Sequence, residues 1–156
     1  MREHEAITAQ GLVDLRAELE RLEGPARRDM AARIQAAREL GDLKENAEYH
    51  IAKEDQALLE TRIKRLVERL RNAVVVEAQE GAAAVGFGTT VHVIDEESRR
   101  AATYTLVGPT EANLAAGRLS AESPVARALM GARPGDVVKV ETPRGARALR
   151  VERIGA

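Results

Sequence analysis

Apolar residues recur at steps of three and four through the first half of the chain. Leu12, Leu15, Leu19 and Leu22 open the pattern, and Ala26, Met30 and Ile34 follow at successive steps of four before Ala37 returns to three. The repeated step of four is a stutter close to Gly24-Pro25. A second run is regular throughout: Tyr49, Ala52, Gln56, Leu59, Ile63, Leu66, Leu70 and Ala73 alternate steps of three and four. Between the runs lies Gly41-Asp42-Leu43-Lys44-Glu45-Asn46, a breaker cluster. Two amphipathic helices follow from this spacing alone.

Register makes the expectation sharper. In an antiparallel pair, facing residues have numbers with a constant sum. Leu22 with Leu66, Leu15 with Ala73 and Leu12 with Val76 give 88, while Leu19 with Leu70, Met30 with Leu59 and Ala37 with Ala52 give 89. Half that sum falls inside the breaker cluster. The pattern therefore predicts an antiparallel coiled-coil hairpin over residues 1–78, with arms of roughly 30 residues and ~45 Å. A finger of that length is expected to stand largely in solvent.

After Glu77 the period changes. Residues 79–88 read as a linker, and 79–156 as a small C-terminal α+β domain, giving an α+β chain of two parts. TTVHVI (89–94) and AATYTLV (101–107) flank a polar connection suited to a hairpin. Ser123-Pro124 is an N-cap followed by proline at the first helical position, and Gly131 is placed to end that short helix. VVKVET (137–142) and ARALRVERI (146–154) are further strands, the last alternating imperfectly.

Composition removes several functions. The 156 residues carry 24 Lys+Arg against 25 Asp+Glu, so any electrostatic role must come from local clustering. Without cysteine there is no disulfide framework, thiolate zinc site or thiol nucleophile, which fits a reducing cytoplasm. No run approaches the ~18–20 apolar residues of a membrane span, and MREHEAIT lacks a signal-peptide core. The aromatics are Tyr49, Phe87 and Tyr104, too few for base-stacking platforms. His4, His50 and His92 share no metal-ligand spacing.

Chemistry concentrates where the hairpin folds back. Glu39, Asp42, Glu45 and Glu48 stand at steps of three, opposed only by Lys44. Asp42-Leu43-Lys44-Glu45 matches a capping box, with Asp42 capping the second helix and Glu45 reaching back. The same carboxylates can also serve as half of a Mg²⁺ site, since Mg²⁺ is held by one or two carboxylates plus phosphates and water. Arg38 and Lys53 lie at nearly the same height. They either face an anionic partner or are solvated charges paired with Glu39 and Glu54. Arg62, Lys64, Arg65, Arg69 and Arg71 form a basic run that is either a contact surface or a solvated face with partners such as Glu60 and Glu68.

GDLKENAEYH (41–50), with Ala37-Arg38-Glu39 before it and Ala52-Lys53-Glu54 after it, resembles the tip signature of the bacterial Gre transcript cleavage factors, its GreA branch above all. Asn72-Ala73, Phe87-Gly88 and Ser123-Pro124-Val125-Ala126-Arg127-Ala128-Leu129 extend the resemblance over essentially the whole chain. Pro25, early for the proline of the first arm, and the Ala-rich stretch 80–85 depart from the family pattern, and neither touches the tip. The resemblance implies an FKBP-like C-terminal domain that docks on RNA polymerase, with Ser123 and Pro124 in contact. It implies a monomeric finger that enters the secondary channel and lends Asp42 and Glu45 to a second, shared Mg²⁺. The implied reaction is polymerase-catalysed hydrolysis of backtracked nascent RNA near its 3′ end. Arg38 and Lys53 are then placed to flank the extruded RNA, and the basic run 62–71 is a contact for RNA or polymerase unless it is a solvated face. On that reading the protein is a cofactor and not itself an enzyme. Prolyl isomerase activity is excluded, because Phe87 and Tyr104 are too few to line such a pocket. Two other classes remain: a channel-binding paralogue that obstructs polymerase without cleavage, and a structural coiled coil that dimerises through its arms.

Overall fold

The computed structural model describes residues 4–78 and 81–155. It divides into two compact units: residues 12–73 form the body of one, and residues 5–11 with 74–156 form the other.

In the first unit, α1 (Ala9–Arg21), a π turn (Leu22–Ala26) and α2 (Arg27–Arg38) make one unbroken arm, and α3 (Ala47–Asn72) returns. Every seam position of both heptad runs is buried or half-buried. The π turn falls on the stutter and contains Pro25. A wider turn absorbs the extra residue, so Leu22, where it begins, and Ile34 beyond it both remain buried. Cross-arm ion pairs follow the expected register toward the tip. Arg33 Nη1 lies 2.6 Å from Asp55 Oδ2, and the Arg27 guanidinium donates to both carboxylate oxygens of Glu60 at 2.9 Å. Below the π turn Arg62 reaches past the level of Ala26 to Glu18, at 2.8 Å. These exposed pairs report register more than they stabilise it.

The second arm is shorter than its spacing implies. α3 ends at Asn72, and β2 (Ala73–Val75) pairs with β1 (Glu5–Ile7), closed by Val76 N–H donating to Ile7 O at 2.9 Å. Three consecutive valines, Val74 to Val76, favour extended backbone over a helical turn, which overrides the heptad continuation to Val76. Thr8 caps α1, accepting from Gly11 N–H at 3.0 Å, and Glu111 accepts from Thr8 and from Gly108 N–H. That carboxylate is why residues 5–11 pack with the second unit.

The second unit is a five-stranded sheet in the order β5-β4-β3-β7-β6, with β3 (Thr90–Asp95), β4 (Ala101–Val107), β5 (Arg118–Ser120), β6 (Val137–Thr142) and β7 (Gly145–Ile154). Only β4–β5 is parallel. The core gathers Val91, Val93, Leu106, Val151 and Val140 from the sheet with Ala126 and Leu129 from α4 (Pro124–Leu129). β7 alternates imperfectly because a bulge interrupts its pairing with β3: Val93 faces Val151 and His92 faces Arg153, leaving Glu152 as the extra residue. The stretch 79–88 is not a plain linker. Val85 is buried in the core, donates to Ala132 O and accepts from Gly131 N–H at 2.8 Å, while residues 79 and 80 lie outside those described. At the turn after β3, Asp95 accepts from the amides of Glu97 and Ser98 and from the Arg147 guanidinium. The Ser98 amide first, then Arg147, hold the Asp95 carboxyl below its ordinary range.

Candidate functional site

The tip is built by Asn46, not by a capping box. α3 begins at Ala47, five residues beyond Asp42, and its N-cap is Asn46, whose Oδ1 accepts from Tyr49 N–H at 3.1 Å. The Asn46 amide also donates to Ala37 O, 2.5 Å away at the end of α2. One side chain thus closes the start of one arm onto the end of the other. Asp42 instead makes a local turn, its Oδ1 accepting from Lys44 N–H at 2.9 Å. Among the described residues Glu45 makes no bond back to the chain, so the expected reciprocal box is absent. A sequence signal for the true cap existed: an Asn directly before the regular run from Tyr49 onward.

Gly41 adopts φ +127°, a conformation only glycine takes without strain, and this turns the chain out of α2. The arms approach closely just below, where Ala37 and Ala52 are both buried and Ala52 is fully so. Leu40, Asp42, Glu45, Asn46, Ala47 and Glu48 line a single open depression. Asp42, Glu45 and Glu48 are all exposed. Among the described residues no three His, Asp or Glu side chains converge into a metal-holding set. The donors are hard, charged oxygens of the kind Mg²⁺ selects, and Asp42 has an oxygen beyond the one its turn uses. They fit a Mg²⁺ whose remaining ligands come from outside this chain.

Arg38 and Lys53 are exposed on neighbouring arms, and neither takes the partner expected of a solvated pair. The Arg38 guanidinium carbon sits 5.8 Å from the Tyr49 ring centroid, and Lys53 Nζ donates to Gln56 Oε1 at 2.9 Å. Tyr49 is half-buried below the tip and packs edge-on to His50. The basic run is partly consumed in the hairpin, with Arg62 on Glu18 and Arg71 3.9 Å from Glu68. The hydrogen bond from Arg62 is the main reason the Glu18 carboxyl is held low. Glu60, expected to serve this run, pairs across the arms with Arg27.

In the second unit, Ser123 Oγ accepts from Ala126 N–H at 3.3 Å and donates to Ser120 O at 2.7 Å, so the capping expectation holds. Pro124 follows as an exposed first helical residue.

Asn46 offers a direct test of tip construction. Asn46→Ala is expected to cost about 1 kcal/mol or more, because both the cap and the bond to Ala37 are lost. Asn46→Asp keeps the cap and loses only the donor. Amide hydrogen exchange at residues 40–50 should rank Ala above Asp above the parent protein, and equal exchange in all three would show that the cap does not hold the tip.

A helical hairpin ending in an acid-lined loop is joined in one chain to a five-stranded sheet, and comparison with known proteins gives this arrangement a family. Residues 5–75 match the family model described as "Transcription elongation factor, N-terminal", and residues 80–156 match "Transcription elongation factor, GreA/GreB, C-term". The chain belongs to the GreA/GreB family of transcription elongation factors. It is 46% identical over 151 residues to "Transcription elongation factor GreA" of Nautilia profundicola, covering 96% of this chain and 93% of that one. Against the GreA of Pseudomonas aeruginosa the identity is 45% over 141 residues, covering 89% of each. A crystal structure of GreA factor homolog 1 (Gfh1) of Thermus thermophilus is 31% identical, covers 99% of this chain and 100% of that one, and has a TM-score of 0.45.

Proposed function

We propose that this protein binds RNA polymerase and stimulates its Mg²⁺-dependent cleavage of backtracked nascent RNA, so that arrested complexes resume elongation. The observation that carries this reading is the pair Asp42 and Glu45 on the lip of one open depression, on a loop that Asn46 pins between two helices. Rigid arms deliver the carboxylates without the entropy cost that a free loop would pay on docking. Two packed helices are only ~20 Å across, which suits entry into a channel.

Asp42 and Glu45 would hold a Mg²⁺ shared with the polymerase's own active site; when bound there, such an ion polarises the scissile phosphodiester and lowers the pKa of a water. The chain's own contribution is charge and position. Arg38 and Lys53, on either arm below the carboxylates, provide cations for the phosphates of the extruded RNA 3′ segment. Ser123 and Pro124 provide part of the polymerase-docking surface on the second unit. The protein acts as a cytoplasmic monomer and supplies no complete catalytic centre alone.

The deciding experiment adds the purified protein, with Mg²⁺, to a purified elongation complex stalled in a backtracked state. Shortened, extendable RNA together with a released 3′ fragment is the expected result. Binding that slows elongation without shortening the RNA would instead identify an obstructive paralogue.

A further inference from the structure

An apolar shelf lies just below the tip, and the packing of the hairpin does not use it. Leu40 is 66% exposed and Ile51 is 51% exposed, yet neither occupies a seam position. They come from opposite arms and line one concavity with Ala36, Ala37, Arg33 and Glu48. A solitary exposed leucine needs no explanation. Two large apolar side chains on either side of an alanine floor make a seat for an apolar group. Leu58, 68% exposed on the same helix, lies outside the concavity.

Charge decides what the seat accepts. Leu40 and Glu48 also line the depression that holds Asp42 and Glu45, so the shelf opens beside three carboxylates. The one cation in its wall, Arg33, is taken by Asp55 at 2.6 Å. An acidic rim repels the equally acidic tip of a second copy, and the cations assigned to RNA phosphates, Arg38 and Lys53, lie outside this lining. The rim attracts a protein segment in which an apolar side chain stands beside a lysine or arginine.

We propose that this shelf seats a segment of RNA polymerase that presents an apolar side chain flanked by a basic one, and that the contact fixes the tip in place. The inference rests on the polymerase-directed reading above and adds a partner surface to it. Such a contact adds affinity and leaves the reacting groups untouched.

The test uses the full-length protein on a stalled elongation complex and measures cleavage rate against protein concentration. In the double variant Leu40→Ser/Ile51→Ser, the half-maximal concentration should rise about tenfold with the plateau rate retained. Leu58→Ser, equally exposed but outside the shelf, should change neither. An unchanged half-maximal concentration in the double variant would overturn the proposal. A photo-cross-linking residue at position 51 reads the partner directly. Attachment to a polymerase polypeptide supports the shelf, whereas attachment to RNA or to a second copy overturns it. If the parent protein stimulates no cleavage, the proposed function fails, and the cross-link still decides what the shelf binds.

Discussion

Asp42→Asn is expected to abolish stimulated RNA cleavage while leaving polymerase binding intact. The geometry makes this substitution unusually clean. Asp42 Oδ1 accepts from Lys44 N–H, and an asparagine Oδ1 accepts the same bond, so the turn survives and only the charge is lost. Glu45→Gln is cleaner still, because Glu45 has no bond to the chain among the described residues. A neutral amide is a poor ligand for a hard dication, so both variants should lose about a hundredfold in stimulated cleavage, with partial recovery at raised Mg²⁺. Asp42→Ala removes the turn as well as the charge, and a purely structural role would make alanine alone defective. Cleavage and competition binding measured on the same preparations separate the two cases. Normal cleavage by Asp42→Asn would remove this carboxylate from metal sharing.

Leu129→Ala should produce a large loss of stability in the second unit. Leu129 is fully buried on α4, among Leu106, Val91, Val93 and Val151 of the sheet. Removing most of such a side chain costs about 3 kcal/mol, the lost transfer free energy plus that of the cavity left behind. The chain has two compact units, so a single unfolding transition is not assumed. Hydrogen exchange read strand by strand should place the loss in β3, β4 and β7, with α2 and α3 unchanged. Met130→Ala, at the exposed neighbouring position, should change stability little. Equal effects from Leu129 and Met130 would contradict the packing described for α4.

The sequence by itself determined the elements whose reason is local and periodic. Steps of three and four name a helix seam directly, because side chains at that spacing share one face. The residues of both runs are buried or half-buried, and only Val76, predicted to face Leu12, is exposed. The stutter marked the place where the π turn forms without naming it, the constant sum placed the fold-back at the tip, and Ser123-Pro124 announced α4. The signature 41–50 placed Asp42 and Glu45 at the tip, where the structure finds them exposed on one depression.

What the tertiary structure decided depends on partners distant in sequence. Nothing local says that three valines after Asn72 will leave the heptad to pair with Glu5–Ile7, because their partner strand precedes the first arm, far away in sequence. Glu111 fastens Thr8 from a loop beyond β4, and Val85 is core only because α4 folds over it. At the tip, the capping box failed for a similar reason. Asp42 and Asn46 compete for the start of α3 on nearly equal intrinsic terms. Asn46 takes the position because its second hydrogen bond, to Ala37 at the end of the first arm, exists only once the hairpin has closed.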